Sequence, residues 1–299
     1  MGVLFLLKTL DLQGFSIKNS ILGMEEKLSK KGLHFRSTYT IMSLRTIRIT
    51  DFDGPGKMGA ITIVIRVDRK ELTRSEIVRV AANCFLNDGY TKTTVHSMCK
   101  KLNMSPGNMT FHFPTKEHML AELADMLCKY QWKLMEEEAR EGYSSVTAIC
   151  LELLTIASAC EQDEVAKDFF LSAYRSELCM DLIRRNDKER AKEVFKEYCP
   201  DWPDDYFSEA ESLVSGIEYA VFFTTSDSAP LEIRVGGALR TILSIYNIPK
   251  ELRDEKIRKV LAMNYKALGM DTLKKFRAYV DQTTEQALFD LLKRKQTIG

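Results

Sequence analysis

Between Ser105 and Phe113 the chain reads SPGNMTFHF, a stretch whose side chains are suited to contact rather than to burial. Ser105 followed by Pro106 is a helix cap followed by a first-turn proline, so a helix begins there. Within it Pro106, Gly107, Asn108 and Thr110 are small or polar, and Met109 and Phe113 alone can anchor it. A helix this short, with so little to bury, is expected to present its outer face to another molecule. Pro106 and Gly107 let a foreign surface come close. Asn108 carries a donor and an acceptor side by side, whose best bidentate match among the bases is adenine.

Two helices must position that stretch. Thr73 and Glu76 stand at capping-box spacing, which predicts a helix start. Ile77, Val80, Ala81, Cys84 and Phe85 then fall at i, i+3, i+4, i+7 and i+8, one apolar stripe. Gly89 can take the left-handed conformation that ends such a helix. Thr93 or Thr94 caps the next, with Val95, Met98, Cys99 and Leu102 on its inner face. Asn103 stands where a tight turn needs positive φ, which Asn tolerates better than most residues. Two short helices around so tight a turn make a helix-turn-helix, whose second helix enters the DNA major groove.

The segment resembles the DNA-binding domain of the tetracycline-repressor (TetR) family. The resemblance lies in the AANCF helix, the GYTKTTV entry and the SPGNM–HFPTKEHML run into the following helix. It implies that Thr94 and Lys116 hold phosphates, and that Pro106, Gly107 and Asn108 face the bases. It also implies that Phe113 plugs the core while His112 lies near the DNA backbone. Two positions depart from the family. Thr110 stands where a phosphate-contacting tyrosine is usual, so Phe111 or His112 would supply that grip, and Asn103 replaces a turn glycine. The resemblance further implies a dimerising, effector-binding helical domain downstream. The DNA-facing set is then Thr94, His96, Ser105, Pro106, Gly107, Asn108, Thr110, Phe111, His112 and Lys116. A metal site at His96, His112 and His118 is disfavoured, because the spacing is wide and no carboxylate or thiol completes it.

The rest of the chain has the composition of a folded helical protein. It holds 299 residues, 45% of them hydrophobic and 28% charged, enough for one large or two ordinary domains. Up to His118 there are 18 Lys or Arg against 10 Asp or Glu, and beyond it 25 against 32. A basic front and an acidic back suit a phosphate-approaching module joined to one that does not approach phosphate. No long apolar run predicts a membrane span. The short apolar start lacks the basic residues and cleavage site of a signal peptide. Seven scattered cysteines without a CxxC pair predict packed, reduced thiols in a cytoplasmic protein. No nucleophile elbow, phosphate-cradling loop or zinc motif supports an enzyme, and no cofactor is implied.

The expected architecture is all-α. Residues 1–70 form an extension with no helical period, in which ITIVIRV could be a strand. That extension is a genuine arm, a poorly ordered one, or a mis-assigned start upstream of Met42 or Met58. Residues 71–118 form the helix-turn-helix domain and 119–299 an effector-binding and dimerisation bundle. Helices are predicted over 73–88, 94–102, 105–112, 115–140, 144–160, 163–186, 188–198, 204–226, 230–247, 250–268 and 271–294. Trp132, Phe169, Phe170, Tyr174, Tyr219, Phe222 and Phe223 are candidate contacts for a lipophilic effector, against the simpler reading that they are core. The two glycines of VGGALRTILSIY suit close helix approach, across a dimer interface or within the chain. The expected function is a DNA-binding transcription regulator, a homodimeric repressor released from its operator by a small molecule. The rival expectation is a small-molecule-binding protein or enzyme whose helix-turn-helix is vestigial.

Overall fold

A computed structural model describes residues 38–43, 46–52, 58–64, 69–140 and 144–294. Chain contacts divide the chain into two units, Met1–Arg69 with Asp290–Gly299 and Lys70–Phe289. The first unit holds three antiparallel strands in sequence order: β1 Thr38–Ser43, β2 Thr46–Phe52 and β3 Met58–Val64. Ile41 pairs Ile47 in the β1–β2 register, and Ile49 pairs Ile61 in the β2–β3 register. The sequence offered a single strand at ITIVIRV. Its first residues lie in β3, while Ile65–Val67, the apolar start and most of DFDGPGK lie outside the described residues.

The second unit is all helix, with eleven helices among its described residues. The first four are α1 Arg69–Asn87, α2 Val95–Leu102, α3 Pro106–His112 and α4 Lys116–Arg140. They are followed by α5 Ser145–Gln162, α6 Glu164–Arg175, α7 Glu177–Phe195 and α8 Asp204–Phe222. The last are α9 Leu231–Ile245, α10 Lys250–Leu261 and α11 Tyr265–Arg294. The start of α1 corrects one expectation: Thr73 and Glu76 lie inside the helix, not at its cap.

One predicted helix is two. Ser176 ends α6 and caps α7, its hydroxyl oxygen accepting from the Cys179 N–H at 3.2 Å. Apolar periodicity runs through this break without a pause, so pattern reading missed it. Asp163 does the same at the α5–α6 junction, accepting from the Val165 N–H at 2.8 Å. These side chains satisfy N–H groups that have no partner inside the helix.

Helix α4 leaves the first three helices and packs along α5 and α7. The core beneath is continuous from Phe85, Met98 and Phe113 to Leu154, Phe169 and Leu239, all buried. Each such side chain contributes about 1.5–3 kcal/mol relative to exposure.

Candidate nucleic-acid interface and the bundle cavity

The α2–turn–α3 segment is held by caps that leave its outer face free. Thr94 caps α2 reciprocally: its hydroxyl accepts from the Ser97 N–H at 3.1 Å, and Ser97 Oγ accepts from the Thr94 N–H at 3.2 Å. Asn103 ends α2 at φ 49°, ψ 46°, the left-handed turn its residue type suggests. Ser105 Oγ accepts from the Asn108 N–H at 3.2 Å, with Pro106 in the first turn of α3. Gly89 takes φ +97° at the end of α1.

Met109 and Phe113 are fully buried beneath α3, and Cys99 Sγ lies 3.8 Å from Met109 Sδ. Apart from partly buried His112, the rest of the helix is exposed. Thr94, His96, Ser105, Pro106, Gly107, Asn108, Thr110 and Phe111 are all exposed, while His112 and Lys116 are partly buried. Phe111 is 68% exposed, an unusual position for a phenylalanine with no role outside the chain. A Cβ added to Gly107 would meet no atom within 4 Å, so nothing inside the chain requires glycine there. Of the predicted contacts, Lys116 is the most committed internally. Its ammonium donates to the carbonyls of Tyr90 and Thr93 at 2.8 and 2.9 Å and lies 4.0 Å over the Tyr90 ring. Burial holds that ammonium below its ordinary pKa.

Farther down α4 the bundle encloses two adjoining cavities of about 80 and 30 Å³. They share walls of Leu127, Gln131, Glu152, Ile156 and Phe170. The larger reaches Gly269 and Phe276 on α11, the smaller Tyr174, Asp187 and Glu218. Polar groups concentrate at the smaller one. Arg190 Nη2 donates to both Glu152 oxygens at 3.0 and 3.1 Å, and Gln131 Nε2 donates to Glu152 at 2.7 Å. The Tyr174 hydroxyl donates to Glu218 at 2.8 Å.

Residues 77–123, from α1 into α4, match the family model described as bacterial regulatory proteins, tetR family. Over those residues the chain is similar to the TetR family. Its helix-turn-helix domain is therefore that of a DNA-binding transcription regulator. No curated protein matches the chain. Among solved structures it is similar to GusR from Salmonella enterica, 18% identical over 62% of this chain and 95% of that one, TM-score 0.38. It is likewise similar to TylP, a TetR regulator from Streptomyces fradiae, 18% identical over 71% and 98%, TM-score 0.38. CprB from Streptomyces coelicolor in complex with its operator sequence is 20% identical over 64% and 96%, TM-score 0.37. Likeness at that level carries no further argument.

The seven aromatic effector candidates do not form one group. Phe169, Phe170, Tyr174 and Phe222 line the smaller cavity, and Phe170 also lines the larger. Tyr219 and Phe223 instead stack on each other at 5.8 Å with Arg175 over both rings, and line neither cavity. Trp132 also lines neither. Sequence reading missed Gln131, Glu152, Asp187 and Glu218. Glu152 and Glu218 stand in apolar stretches, ICLELLTIA and SGIEYAVFF, and that contrast is the signal that could have found them. All seven cysteines are buried and unpaired. Among the described residues no cluster could hold a metal, and no helix is long and apolar enough to cross a membrane.

Proposed function

We propose that the protein is a homodimeric repressor that reads an operator through α3 and leaves it when a small molecule fills the bundle. The observation carrying this reading is the outer face of α3, where Pro106, Gly107, Asn108, Thr110 and Phe111 are exposed on an anchored helix. In the complex Asn108 pairs with a base edge, and Thr94, His96, Ser105, Thr110, His112 and Lys116 contact or position the phosphates.

Pairing two copies is supported by the outward side of α8 and α9. Leu213 is 53% and Ile233 62% exposed, and Cβ atoms at Gly216 and Gly237 would meet nothing within 4 Å. Leu213, Gly216 and Ala220 share one face of α8, and Ile233, Gly237 and Ser244 share one face of α9. Small and apolar side chains with no internal demand on them suit a second copy packed helix against helix. Such a dimer places two copies of α3 in successive major grooves, about 34–36 Å apart.

Selection of bound DNA from random sequence tests the proposal. The expected product is a palindromic site with half-sites about one helical turn apart. Asn108→Ala should relax the preference at one position of each half-site, costing about 1–3 kcal/mol of discrimination there. Failure to enrich any sequence would overturn the reading.

A further inference from the structure

The polar end of the bundle is out of electrical balance. Three carboxyl groups, Glu152 on α5, Asp187 on α7 and Glu218 on α8, line the smaller cavity. Arg190 on α7 is the guanidinium among them, and Glu152 already holds it through Nη2. Its Nη1 reaches Asp187 only as an ion pair at 3.9 Å. Arg190 is buried to more than nine-tenths, and its Nε and Nη1 have no hydrogen-bond partner. Behind Glu218 the imbalance continues: the Tyr246 hydroxyl donates to buried Glu211, while Arg184 on α7 is directed to Ser215 at 2.9 Å. The remaining groups facing the cavity are Gln131 and Cys128 on α4 and Tyr174 on α6, none of which brings a positive charge.

A fold that encloses surplus carboxyls next to phenylalanines must either protonate them or supply a counter-charge. We infer that the paired cavities take a small lipophilic cation, a protonated amine on an apolar body, with Asp187 and Glu218 as its counter-charges. The inference rests on reading the bundle as the effector site. The apolar body lies between Leu127, Ile156, Phe169, Phe170 and Phe222, where an aromatic or branched aliphatic group buries its surface. A cavity of about 150 Å³ is needed to hold a benzene ring. Binding therefore parts the Leu127, Ile156 and Phe170 walls that separate the two spaces, and this displacement is what the ligand transmits along α4 and α6. Without ligand Glu218 stays protonated at neutral pH, since burial lifts it well above the ordinary carboxylate range, whereas Asp187, lifted to about 6, is by then largely ionised. An entering ammonium displaces the proton of Glu218, so binding at neutral pH releases protons to solvent.

Calorimetry on the full chain with 2-phenylethylamine, 2-phenylethanol and phenylacetate, in two buffers of different ionisation enthalpy, tests the inference. The three probes share one body and differ in the charge of the head. The amine should bind at least tenfold more tightly than either isostere, with proton release growing from pH 6 to pH 7.5. Glu218→Gln and Asp187→Asn should each weaken the amine at least tenfold without changing affinity for the selected operator. If either variant fails to fold, the comparison of the three probes on the wild-type chain still decides. Equal or tighter binding of the alcohol or the acid, or no binding of the amine, overturns the inference. Amine binding that leaves operator affinity unchanged would sustain the ligand class and overturn the effector role instead.

Discussion

Asp168 accepts a hydrogen bond from the Thr91 backbone N–H at 2.8 Å, and its second carboxylate oxygen accepts from the Thr91 hydroxyl. Asp168 directly precedes Phe169 and Phe170, which line the cavity, and Thr91 lies three residues before the cap of α2. One carboxylate thus ties the wall of the cavity to the turn that leads into α2. A second tie runs beside it, from the Ser176 hydroxyl to Glu117 on α4. If α6 carries the effector signal, Asp168→Ala should shrink the ligand-dependent change in operator affinity while leaving ligand affinity intact. Stability should fall by about 1 kcal/mol, because the lost bonds are exposed. Titrating operator DNA with and without effector measures the first effect, and urea unfolding the second. Unchanged coupling would show that α6 does not carry the signal.

The same clasp makes a prediction at Gly89. Its φ of +97° strains any side chain, and an added Cβ would lie 3.0 Å from Asp168 Oδ2. Gly89→Ala should therefore destabilise by about 1–2 kcal/mol, from the backbone and from the pushed carboxylate together. In a double-mutant cycle with Asp168→Ala, only the steric part should vanish, leaving a penalty of about 1 kcal/mol. Purely additive denaturation energies would show that the carboxylate yields freely.

Lys116 combines two roles that substitution should expose separately. Its ammonium braces the carbonyls of Tyr90 and Thr93 in the free chain, so it is committed before DNA arrives. Lys116→Ala should weaken binding to all DNA sequences and flatten the salt dependence by about one unit of slope. It should also lower thermal stability, by about 1–2 kcal/mol for two lost charge-assisted bonds. Lys116→Gln should recover part of the stability without the salt slope. Loss of affinity with the slope unchanged would assign Lys116 a bracing role alone.

The helix-turn-helix was legible because local chemistry decides it. Thr94, Asn103 and Ser105–Pro106 each fix one backbone turn through their own side chain, and those positions need nothing distant. The bundle was legible only as helices. Ser176 splits a continuous apolar pattern with one hydroxyl, and nothing in the periodicity of residues 163–186 marks the break. The cavity was half legible. Phe169, Phe170, Tyr174 and Phe222 stand out by type, but Tyr219 and Phe223 carry the same signal and sit outside. Asp187 carries no signal, standing in the charged run RRNDKER, whereas Glu152 and Glu218 are single carboxylates in apolar runs whose meeting only the fold shows. The strands at 38–52 escaped notice because threonine, arginine and isoleucine alternate there without a turn dipeptide to frame them.

The surplus carboxyls set the pH dependence of stability. Burial raises Glu211 from 4.5 to about 8 and Asp187 from 3.8 to about 6. In the unfolded chain both groups ionise at their ordinary values, so between about pH 4 and 8 the folded chain binds more protons. Stability must therefore fall as pH rises through that window, the reverse of a protein held by carboxylate salt bridges. Glu211→Gln keeps a partner for the Tyr246 hydroxyl and removes the titration. It should be more stable than wild type at pH 8 and should flatten the slope between pH 5 and 8 in urea unfolding. A wild-type stability that rises over this range would mean that these carboxyls ionise inside the fold.

Gly269 lets α11 approach the backbone of α5 at the larger cavity and so tests its walls. A Cβ there would lie 2.5 Å from the Thr155 carbonyl oxygen and 3.4 Å from the Ala159 N, both backbone atoms of α5. Backbone cannot swing aside as a side chain does, so α11 would have to lift away from α5. Overpacking of this kind costs about 1–3 kcal/mol, offset by only ~1 kcal/mol from the better helix propensity of alanine. Since Gly269, Thr155 and Ala159 all line the larger cavity, the lift also widens it. Gly269→Ala should therefore unfold at lower urea concentration yet bind a bulkier amine, such as 4-phenylbutylamine, at least as well as the wild type does. Gly269→Val should exaggerate both effects. A stable variant with unaltered ligand preference would mean that α11 is free to shift, and that the cavity wall is set by α4 and α5 alone.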